Sequence, residues 1–319
     1  MNGPSPPPEA VERFCADLAA VTGDLSGVLG LAVSGGVDSL ALLLLGQAAC
    51  PGKVRAATVD HGLRPEAADE ALFVAALCAE LGVGHDILRP PVPITGNLQS
   101  AARQARYALL EQWRVRHGLD RVATAHHADD QAETLLMRLA RGAGVRGLGG
   151  TRPRRALTGQ VALVRPLLGW RKSELVSIVN AAGIEAVDDP SNRDPRHDRS
   201  RIRQVLERAD WADPTRLAAS ASALRDADEA LDWALAPLIA ARIRQDEGAL
   251  IIEPFDLPRE LKRRLLAAAF GELGAPAPRG PDLMRAMDSL EAGQIVTLSG
   301  LKLEGSSFWR LSPAPPRRA

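Results

Sequence analysis

Short apolar runs alternate with longer amphipathic segments over the first half of the chain. Strands are predicted at Val28–Val33, Arg55–Val59, His85–Leu88 and Arg121–Ala125. Helices are predicted between and after them at Ser39–Ala49, Pro65–Leu81, Leu98–Arg116 and Asp129–Leu139. Strands that alternate with helices of this length are typical of crossover units. We therefore predict an α/β fold with a parallel sheet covered by helices on both faces.

The second half of the chain has a mainly helical pattern. A helix is predicted at Arg171–Ala182, and a polar, proline-punctuated segment follows it from Asp188 to Leu206. Residues 214–290 are helical in pattern apart from a possible strand at Ala249–Glu253. Short alternating runs at Ile295–Leu311 predict a small hairpin or sheet.

These changes of pattern predict three parts of the chain. Residues 1–27 form an N-terminal extension or helix, and residues 28–212 form the α/β domain that carries the chemistry. Residues 213–319 form a mainly helical domain that ends in a short β hairpin or sheet.

Composition narrows the class of protein without giving its partner. The 319 residues carry 39 basic and 39 acidic side chains, so the net charge gives no argument for nucleic acid. Cys15, Cys50 and Cys78 form no C-x-x-C pair, which is typical of reduced thiols in a cytoplasmic protein. No leader pattern and no apolar run of membrane-spanning length is present, so we expect no membrane partner.

Polar residues follow three of the predicted strands. Ser34–Ser39 follow the first strand, Asp60–Arg64 the second and His126–His127 the fourth. In an open parallel sheet, ligands bind at the carboxyl ends of the strands. We therefore expect these three segments to share one crevice.

The segment Ser34-Gly35-Gly36-Val37-Asp38-Ser39 has the composition of an anion cradle. Two glycines allow backbone N–H groups to point at a phosphate, and the following helix adds its N-terminal dipole. The segment matches neither G-x-x-x-x-G-K-[ST], nor G-x-G-x-x-G, nor G-x-S-x-G. Bare phosphate would repel Asp38, so this residue indicates Mg²⁺ or another cationic partner.

SGGVDS after the first strand resembles the PP-loop of the N-type ATP pyrophosphatases, which have an adenine nucleotide alpha hydrolase-like fold. Members of that family cleave ATP between the α and β phosphates and use AMP to activate an oxygen. The resemblance implies that Ser34 to Ser39, with His61 and Arg64 of the second crevice loop, bind ATP and that Asp38 binds Mg²⁺.

Further stretches are similar to one group in that family, the tRNA(Ile)-lysidine synthetases. They are VDHGLRPEAADEA, AARQARY, TAHHADDQAETLLMRLARGAGVRGLGG, RPLL, and DDPSN with RSRIR. The similarity runs from Val28 to about Leu206 and is weak beyond it. It implies a carbon–nitrogen ligase that adenylates the wobble cytidine of the CAU-anticodon isoleucine tRNA at its C2 oxygen. The ε-amine of L-lysine then displaces AMP, which gives lysidine, AMP and pyrophosphate. Monomer and homodimer both stay open.

The same resemblance assigns roles to further residues. Asp38, His126 and Arg203 are implied to be catalytic. The residues implied to bind the tRNA or lysine are Arg103, Asp130, Glu133, Arg141, Arg146 and Arg199. Asp130 and Glu133 lie three apart on one predicted helix, so both can face the pocket and hold either Mg²⁺ or the lysine ammonium.

Two arginine-rich segments have their own predictions. RLARGAGVRGLGG is too rich in glycine for a helix interior after Arg141, which predicts a flexible basic loop suited to a phosphate backbone. If RSRIR is helical, Arg199 and Arg203 share a face while Arg201 points away. Ile202, Val205 and Leu206 would then form the buried stripe. Ser200 stands where the resembling family has asparagine.

Three other functions compete with this interpretation. A PP-loop tRNA thiolase would need cysteine nucleophiles near the pocket. An amide-forming synthetase for a small carboxylate would not need the basic segment after Arg138. A non-catalytic adenine-nucleotide sensor would leave Asp38, His126 and Arg203 unexplained.

Overall fold

The structure is a computed structural model. It describes residues 5–23, 27–63, 66–92, 94, 98–157, 161–187 and 198–315. The predicted nucleotide ligand Arg64 and the DDPSN segment lie outside the described residues. The chain divides into two compact units, Met1–Arg225 and Asp226–Ala319. The functional assignment of residues 28–212 and 213–319 stays a prediction.

The first unit holds a six-stranded sheet with helices on both faces. Its strands are β1 (Leu29–Ala32), β2 (Val54–Val59), β3 (Gly84–Leu88), β4 (Arg121–Ala123), β5 (Arg154–Ala156) and β6 (Val161–Val164). Its helices are α1 (Pro8–Thr22), α2 (Val37–Ala49), α3 (Glu66–Glu80), α4 (Leu98–Arg116), α5 (Ala128–Leu139), α6 (Val145–Leu148), α7 (Lys172–Ala181) and α8 (Asp198–Arg208). The strand order is β3-β2-β1-β4-β6-β5, with all pairs parallel except β5 with β6. This confirms the α/β prediction.

Alternation along β1 explains the two covered faces. Leu29, Leu31 and Val33 belong to the apolar cluster that includes α1, α2 and α7. Ala32 belongs to the opposite cluster, which includes Trp113 of α4. A Cβ atom on Gly30 would lie 2.6 Å from the Trp113 ring, so glycine is required for α4 to pack this closely. The strand at the centre of the sheet is therefore buried on both sides.

The second unit combines helices with an antiparallel sheet. Helix α9 (Pro214–Arg242) begins before the unit and ends within it. The other elements are β7 (Ile243–Asp246), β8 (Ala249–Ile252), α10 (Arg259–Glu272), α11 (Gly280–Glu291), β9 (Ile295–Leu298), β10 (Leu301–Gly305) and β11 (Trp309–Pro313). The strand order is β7-β8-β11-β10-β9. The predicted C-terminal hairpin or sheet is thus part of a five-stranded sheet around buried Phe270, Leu303 and Trp309.

Two local expectations differ from the structure. The glycine-rich segment predicted as a loop contains the single helical turn α6, because Gly144 begins a turn that Val145 to Leu148 complete. Val205 was predicted in the buried stripe of α8 but is 52% exposed, whereas the polar residue Ser200 is buried. The face of α8 that packs against α5 is thus the arginine face. No helix within the described ranges is both long and apolar enough to cross a membrane.

Candidate active site

The loop from Ser34 to Ser39 closes on itself through its two serines. The Ser34 backbone N–H donates to Ser39 Oγ at 3.0 Å, and Ser39 Oγ donates to the Gly36 carbonyl at 2.8 Å. Gly35 has a φ of +88°, a conformation that favours glycine. A Cβ atom there would also lie 3.1 Å from the Val187 side chain. The loop therefore presents its backbone at the N-terminus of α2, the geometry of an anion site.

Asp38 lies in the first turn of α2 with one oxygen engaged and one free. Its Oδ2 lies 3.5 Å from His127 Nε2. Its Oδ1 is buried and has no hydrogen-bond partner among the described residues. A buried carboxylate oxygen without a donor fits a cation ligand, since leaving it unpaired costs free energy. Protein side chains in the described ranges form no complete metal cluster, and Mg²⁺ in phosphate sites is held by one or two carboxylates plus the phosphates.

His127, at the start of α5, lies among three carboxylates. Its ring nitrogens lie 3.5 Å from Asp38, 3.5 Å from Asp129 and 3.6 Å from Asp130. Burial alone would lower the pKa of His127, but these carboxylates outweigh burial and raise the pKa to about 10. The residue is therefore an imidazolium at neutral pH. His127 therefore links α5 to the loop that follows β1.

His126, the neighbouring residue, has the opposite protonation state. Its Nδ1 lies 3.0 Å from Thr124 Oγ1. Burial, with the charges of Arg165, Arg106 and Arg199, lowers the pKa of His126 to about 3, although Asp130 opposes the shift. A neutral imidazole can accept a proton or a hydrogen bond from a substrate.

Glu133 joins α5 to α8. It is 2% exposed, and it accepts one hydrogen bond from Arg199 Nε and one from Arg203 Nε, each at 2.7 Å. Asp130 lies one turn earlier, with its Oδ1 3.5 Å from Arg199 Nη2. Burial disfavours charge on Asp130, yet His127 and Arg199 lower its pKa. Burial disfavours charge on Arg203, but Glu133, with smaller contributions from Asp130 and Asp38, raises the pKa of its guanidinium.

A cavity of about 360 Å³ opens beside the Ser34 loop. Its walls come from the ends of β1 and β2, from α3 and from Val187, with Arg106 as its basic side chain. His61 lines it with Nδ1 buried and without a partner in the described part of the chain. Burial and the charge of Arg106 lower the pKa of His61, although Asp60 opposes the shift.

The remaining predicted residues lie outside this central group. The Arg141 guanidinium pairs with Asp198 at 2.6 Å, and Arg201 pairs with the same carboxylate. Arg146 is exposed on α6. Arg103 lies over the Tyr107 ring at 5.3 Å.

Sequence reasoning missed several contributors to the crevice. The sequence interpretation assigns a role to His126 and none to His127, although the position of His127 directly before an acidic helix start indicates ion pairing. Arg106 lies within the AARQARY stretch, for which the sequence interpretation gives this arginine no role. Val187 gave no signal, because only the tertiary structure brings its backbone N–H to the Gly35 carbonyl, at 3.0 Å.

Known proteins resemble this chain over nearly its full length. A family profile described as a PP-loop domain matches residues 11–209. The tRNA(Ile)-lysidine synthase of Novosphingobium aromaticivorans is 50% identical over 313 residues, which cover 97% of this chain and 95% of that protein. The enzyme of the same name from Zymomonas mobilis is 46% identical, covering 92% of this chain and 91% of that protein.

A solved structure shows the same fold at greater distance. The U34-tRNA thiolase NcsA from Methanococcus maripaludis, solved with its 4Fe-4S cluster, matches with a TM-score of 0.55 and 18% identity. The match covers 67% of this chain and 78% of that chain. The Ser34 cradle, the Asp38–His127 pair and these full-length relatives lead to one conclusion: the chain belongs to the tRNA(Ile)-lysidine synthase family of PP-loop proteins.

Proposed function

We propose that this protein ligates L-lysine to C2 of the wobble cytidine in the CAU-anticodon isoleucine tRNA at the expense of ATP. The observation that carries the proposal is that Arg199 and Arg203 of α8 bind Glu133 of α5, the helix whose first residues also pair with Asp38 of the phosphate cradle through His127. A crevice with that content can bind a nucleotide and an amino acid with two ammonium groups. The reaction takes place in the cytoplasm. The homodimer stays a prediction.

ATP binds with its phosphates against the backbone of Gly35 and Gly36. The adenosine occupies the cavity of about 360 Å³, between His61 and Arg106. Bound Mg²⁺ would neutralise phosphate charge, and Asp38 Oδ1 is the oxygen available to hold it. Ser34 Oγ lies 3.2 Å from Ser39 Oγ and can donate to a phosphate oxygen, whereas the Ser39 hydroxyl donates to the Gly36 carbonyl and fixes the loop.

Lysine binds at Asp130 and Glu133. Both carboxylates face the arginines of α8, so the crevice has negative charge that is already stabilised in the ionised state. An ammonium group can replace one arginine donor at this site without leaving a carboxylate unpaired. This arrangement leaves Asp38 for the cation, and Asp130 and Glu133 of α5 for the amino acid.

The two chemical steps need different groups. In the first, the cytidine C2 oxygen attacks the α-phosphorus, the bond to the bridging oxygen breaks, and pyrophosphate leaves. Arg203 stabilises the negative charge that develops on the α-phosphate. In the second, the ε-amine attacks C2 and AMP leaves, for which the ammonium must first lose a proton. That proton leaves to solvent, because a pKa of about 3 makes His126 too weak a base to hold it. The neutral imidazole of His126 instead accepts a hydrogen bond that orients the attacking amine.

The thiolase alternative is not favoured. Burial raises the pKa of the Cys78 thiol to about 12, and burial also raises that of Cys50. Such thiols are poor nucleophiles at neutral pH. The full-length relatives are also lysidine synthases rather than thiolases.

Mass spectrometry of the tRNA tests the proposal directly. The purified protein is incubated with ATP, isotope-labelled lysine and an unmodified transcript of the CAU-anticodon isoleucine tRNA. We expect one lysine added at the wobble cytidine, with pyrophosphate and AMP released in equal amounts. A methionine tRNA transcript with the same anticodon is the control. Pyrophosphate release without lysine incorporation would overturn the proposal.

A further inference from the structure

Tyr107 on α4 lies at the centre of a group of arginines. The Cζ atoms of Arg103 and Arg155 lie over its ring, 5.3 and 4.4 Å from the centroid. The two guanidinium groups are therefore no more than about 10 Å apart, the sum of those distances. Burial raises the pKa of the Tyr107 hydroxyl, but the charges of Arg103 and Arg165 outweigh burial and lower that pKa. We call Arg103, Tyr107, Arg155 and Arg165 the Tyr107 cluster.

Buried positive charge in the Tyr107 cluster has no carboxylate opposite it. Arg165 is 2% exposed, donates to the Arg152 carbonyl at 2.6 Å, and has a buried Nε without a partner among the described residues. Neither Arg103, Arg155 nor Arg165 forms an ion pair with any carboxylate that the structure describes. Burial, with the charges of Arg155 and Arg103, lowers the pKa of Arg165.

Another buried arginine in the same chain shows what a purely structural site looks like. Arg264, in the second unit, is 3% exposed and contacts Asp228, Asp232 and Glu260 at 2.6 to 2.8 Å. A buried guanidinium is normally compensated in this way, because its desolvation is costly. Arg165 is as buried as Arg264, yet no carboxylate that the structure describes pairs with it. An anionic ligand is the missing component.

We propose that the Tyr107 cluster binds a backbone phosphate of the tRNA strand whose base enters the crevice. This inference rests on the proposed function. Arg103 and Arg155 are exposed and can close on a phosphate, and the Tyr107 ring contacts both guanidinium groups.

The position of the cluster favours an RNA backbone over a free anion. Thr124 lies 3.0 Å from His126 Nδ1 through its hydroxyl and donates its backbone N–H to the carbonyl of Val164, the residue before Arg165. The cluster therefore borders the proposed reaction centre. Arg155 lies on β5, the edge strand of the sheet, with its side chain exposed. A strand that delivers one base to His126 must pass its phosphates close to this edge. Base contacts then determine which sequence is bound, and these phosphate contacts position the strand.

The test compares a double variant with a charge-matched control. Arg103→Ala with Arg155→Ala removes both exposed cations and leaves buried Arg165 and Tyr107 unchanged. Arg116→Ala with Lys53→Ala removes the same charge from the opposite end of the sheet, where both side chains are exposed. Binding of the unmodified isoleucine tRNA transcript is measured from about 0.05 to 0.3 M salt, a range over which phosphate contacts dominate affinity.

We expect the double variant to bind tRNA at least about 10-fold more weakly at 0.1 M salt. Its slope of log affinity against log salt should fall by about 0.7 for one lost single-strand phosphate contact. The control should keep the wild-type slope, and the KM for ATP should stay unchanged in both. An unchanged slope in the double variant would overturn the inference.

A second outcome assigns the site to another source of phosphate. If the KM for ATP and inhibition by pyrophosphate change while the tRNA slope does not, the cluster binds the nucleotide's phosphates and the inference is wrong. Failure of the proposed function is seen separately. Wild-type protein that binds the transcript but adds no lysine would overturn the function, whereas the slope comparison would still decide the phosphate site.

Discussion

At the scale of single residues, removing the charge of Asp38 gives the most direct test of the site. Asp38→Asn keeps the size of the side chain but removes the free anionic oxygen and the partner of His127. We expect lysidine formation to fall at least ~100-fold, which corresponds to about 2.7 kcal/mol of activation free energy. Lysine incorporation measures the rate, and a thermal unfolding curve checks that the fold is kept. Asp69→Asn, an exposed acid on α3, is the matched control. Near-wild-type rates in Asp38→Asn would remove Asp38 from the mechanism.

Arg203 and Arg201 form a second comparison at this scale. Arg203 Nε donates to buried Glu133, and the planar guanidinium has further donors for a phosphate, a geometry that lysine does not copy. We expect Arg203→Lys to lose most activity although the charge is retained. Arg201 is exposed and pairs with Asp198, so Arg201→Ala should be nearly silent. Arg199→Ala should fall between them. Activity assays of the three variants measure these differences, and circular dichroism excludes unfolding. A fully active Arg203→Lys enzyme would contradict the need for a planar guanidinium at this position.

At the scale of elements, His127 links the loop after β1 to α5, and this link depends on pH. Its pKa is raised from 6.5 to about 10, so its stabilisation is complete below pH 6.5 and is lost as pH rises towards 10. Each pKa unit corresponds to about 1.4 kcal/mol, so the loss between pH 7 and 10 should be about 2 to 4 kcal/mol. Denaturant unfolding of the wild type and of His127→Gln at several pH values measures this loss of stabilisation. The difference in unfolding free energy between the two proteins should shrink as pH rises. A constant difference contradicts an imidazolium at this position.

Glu133 supplies the matching contact between α5 and α8. Glu133→Gln leaves two guanidinium groups facing a neutral amide, and because both arginines are partly exposed we expect a loss of about 1 to 2 kcal/mol. Hydrogen exchange should become faster along α8, since this contact holds the helix by its arginine face. Glu207→Gln, an exposed acid on the same helix, should leave exchange unchanged. Equal exchange in both variants would contradict the role of Glu133.

At the scale of the whole molecule, the two compact units should respond separately to a buried defect. Arg264→Met removes the guanidinium from Asp228, which is 1% exposed, and should destabilise the second unit by about 3 kcal/mol or more. Arg263→Met is the control, because Arg263 pairs with Glu260 from a less buried position. Calorimetry should show one transition at lower temperature in Arg264→Met, while the KM for ATP stays at the wild-type value. A lower temperature for every transition would contradict separate units.

The local pattern of the chain determined the first four strands, the helices between them and the position of the phosphate cradle. Apolar alternation and glycine pairs act over a few residues, so α2 to α5 lie within two residues of their predicted bounds. Strands β5 and β7 were missed because RRA and IRQD are polar edge segments, which are defined by their partners rather than by their own pattern. The short apolar run of β6 was also missed.

Only the tertiary structure decided how charge is arranged around the cradle. Sequence spacing placed His126 and His127 together, but burial among cations made one neutral, and three carboxylates made the other an imidazolium. The pairing of Glu133 with α8 joins residues 66 and 70 positions apart, and Arg155 reaches Tyr107 from another element. The physical reason is that propensity and periodicity are local, whereas protonation and ion pairing depend on which distant groups share a desolvated space.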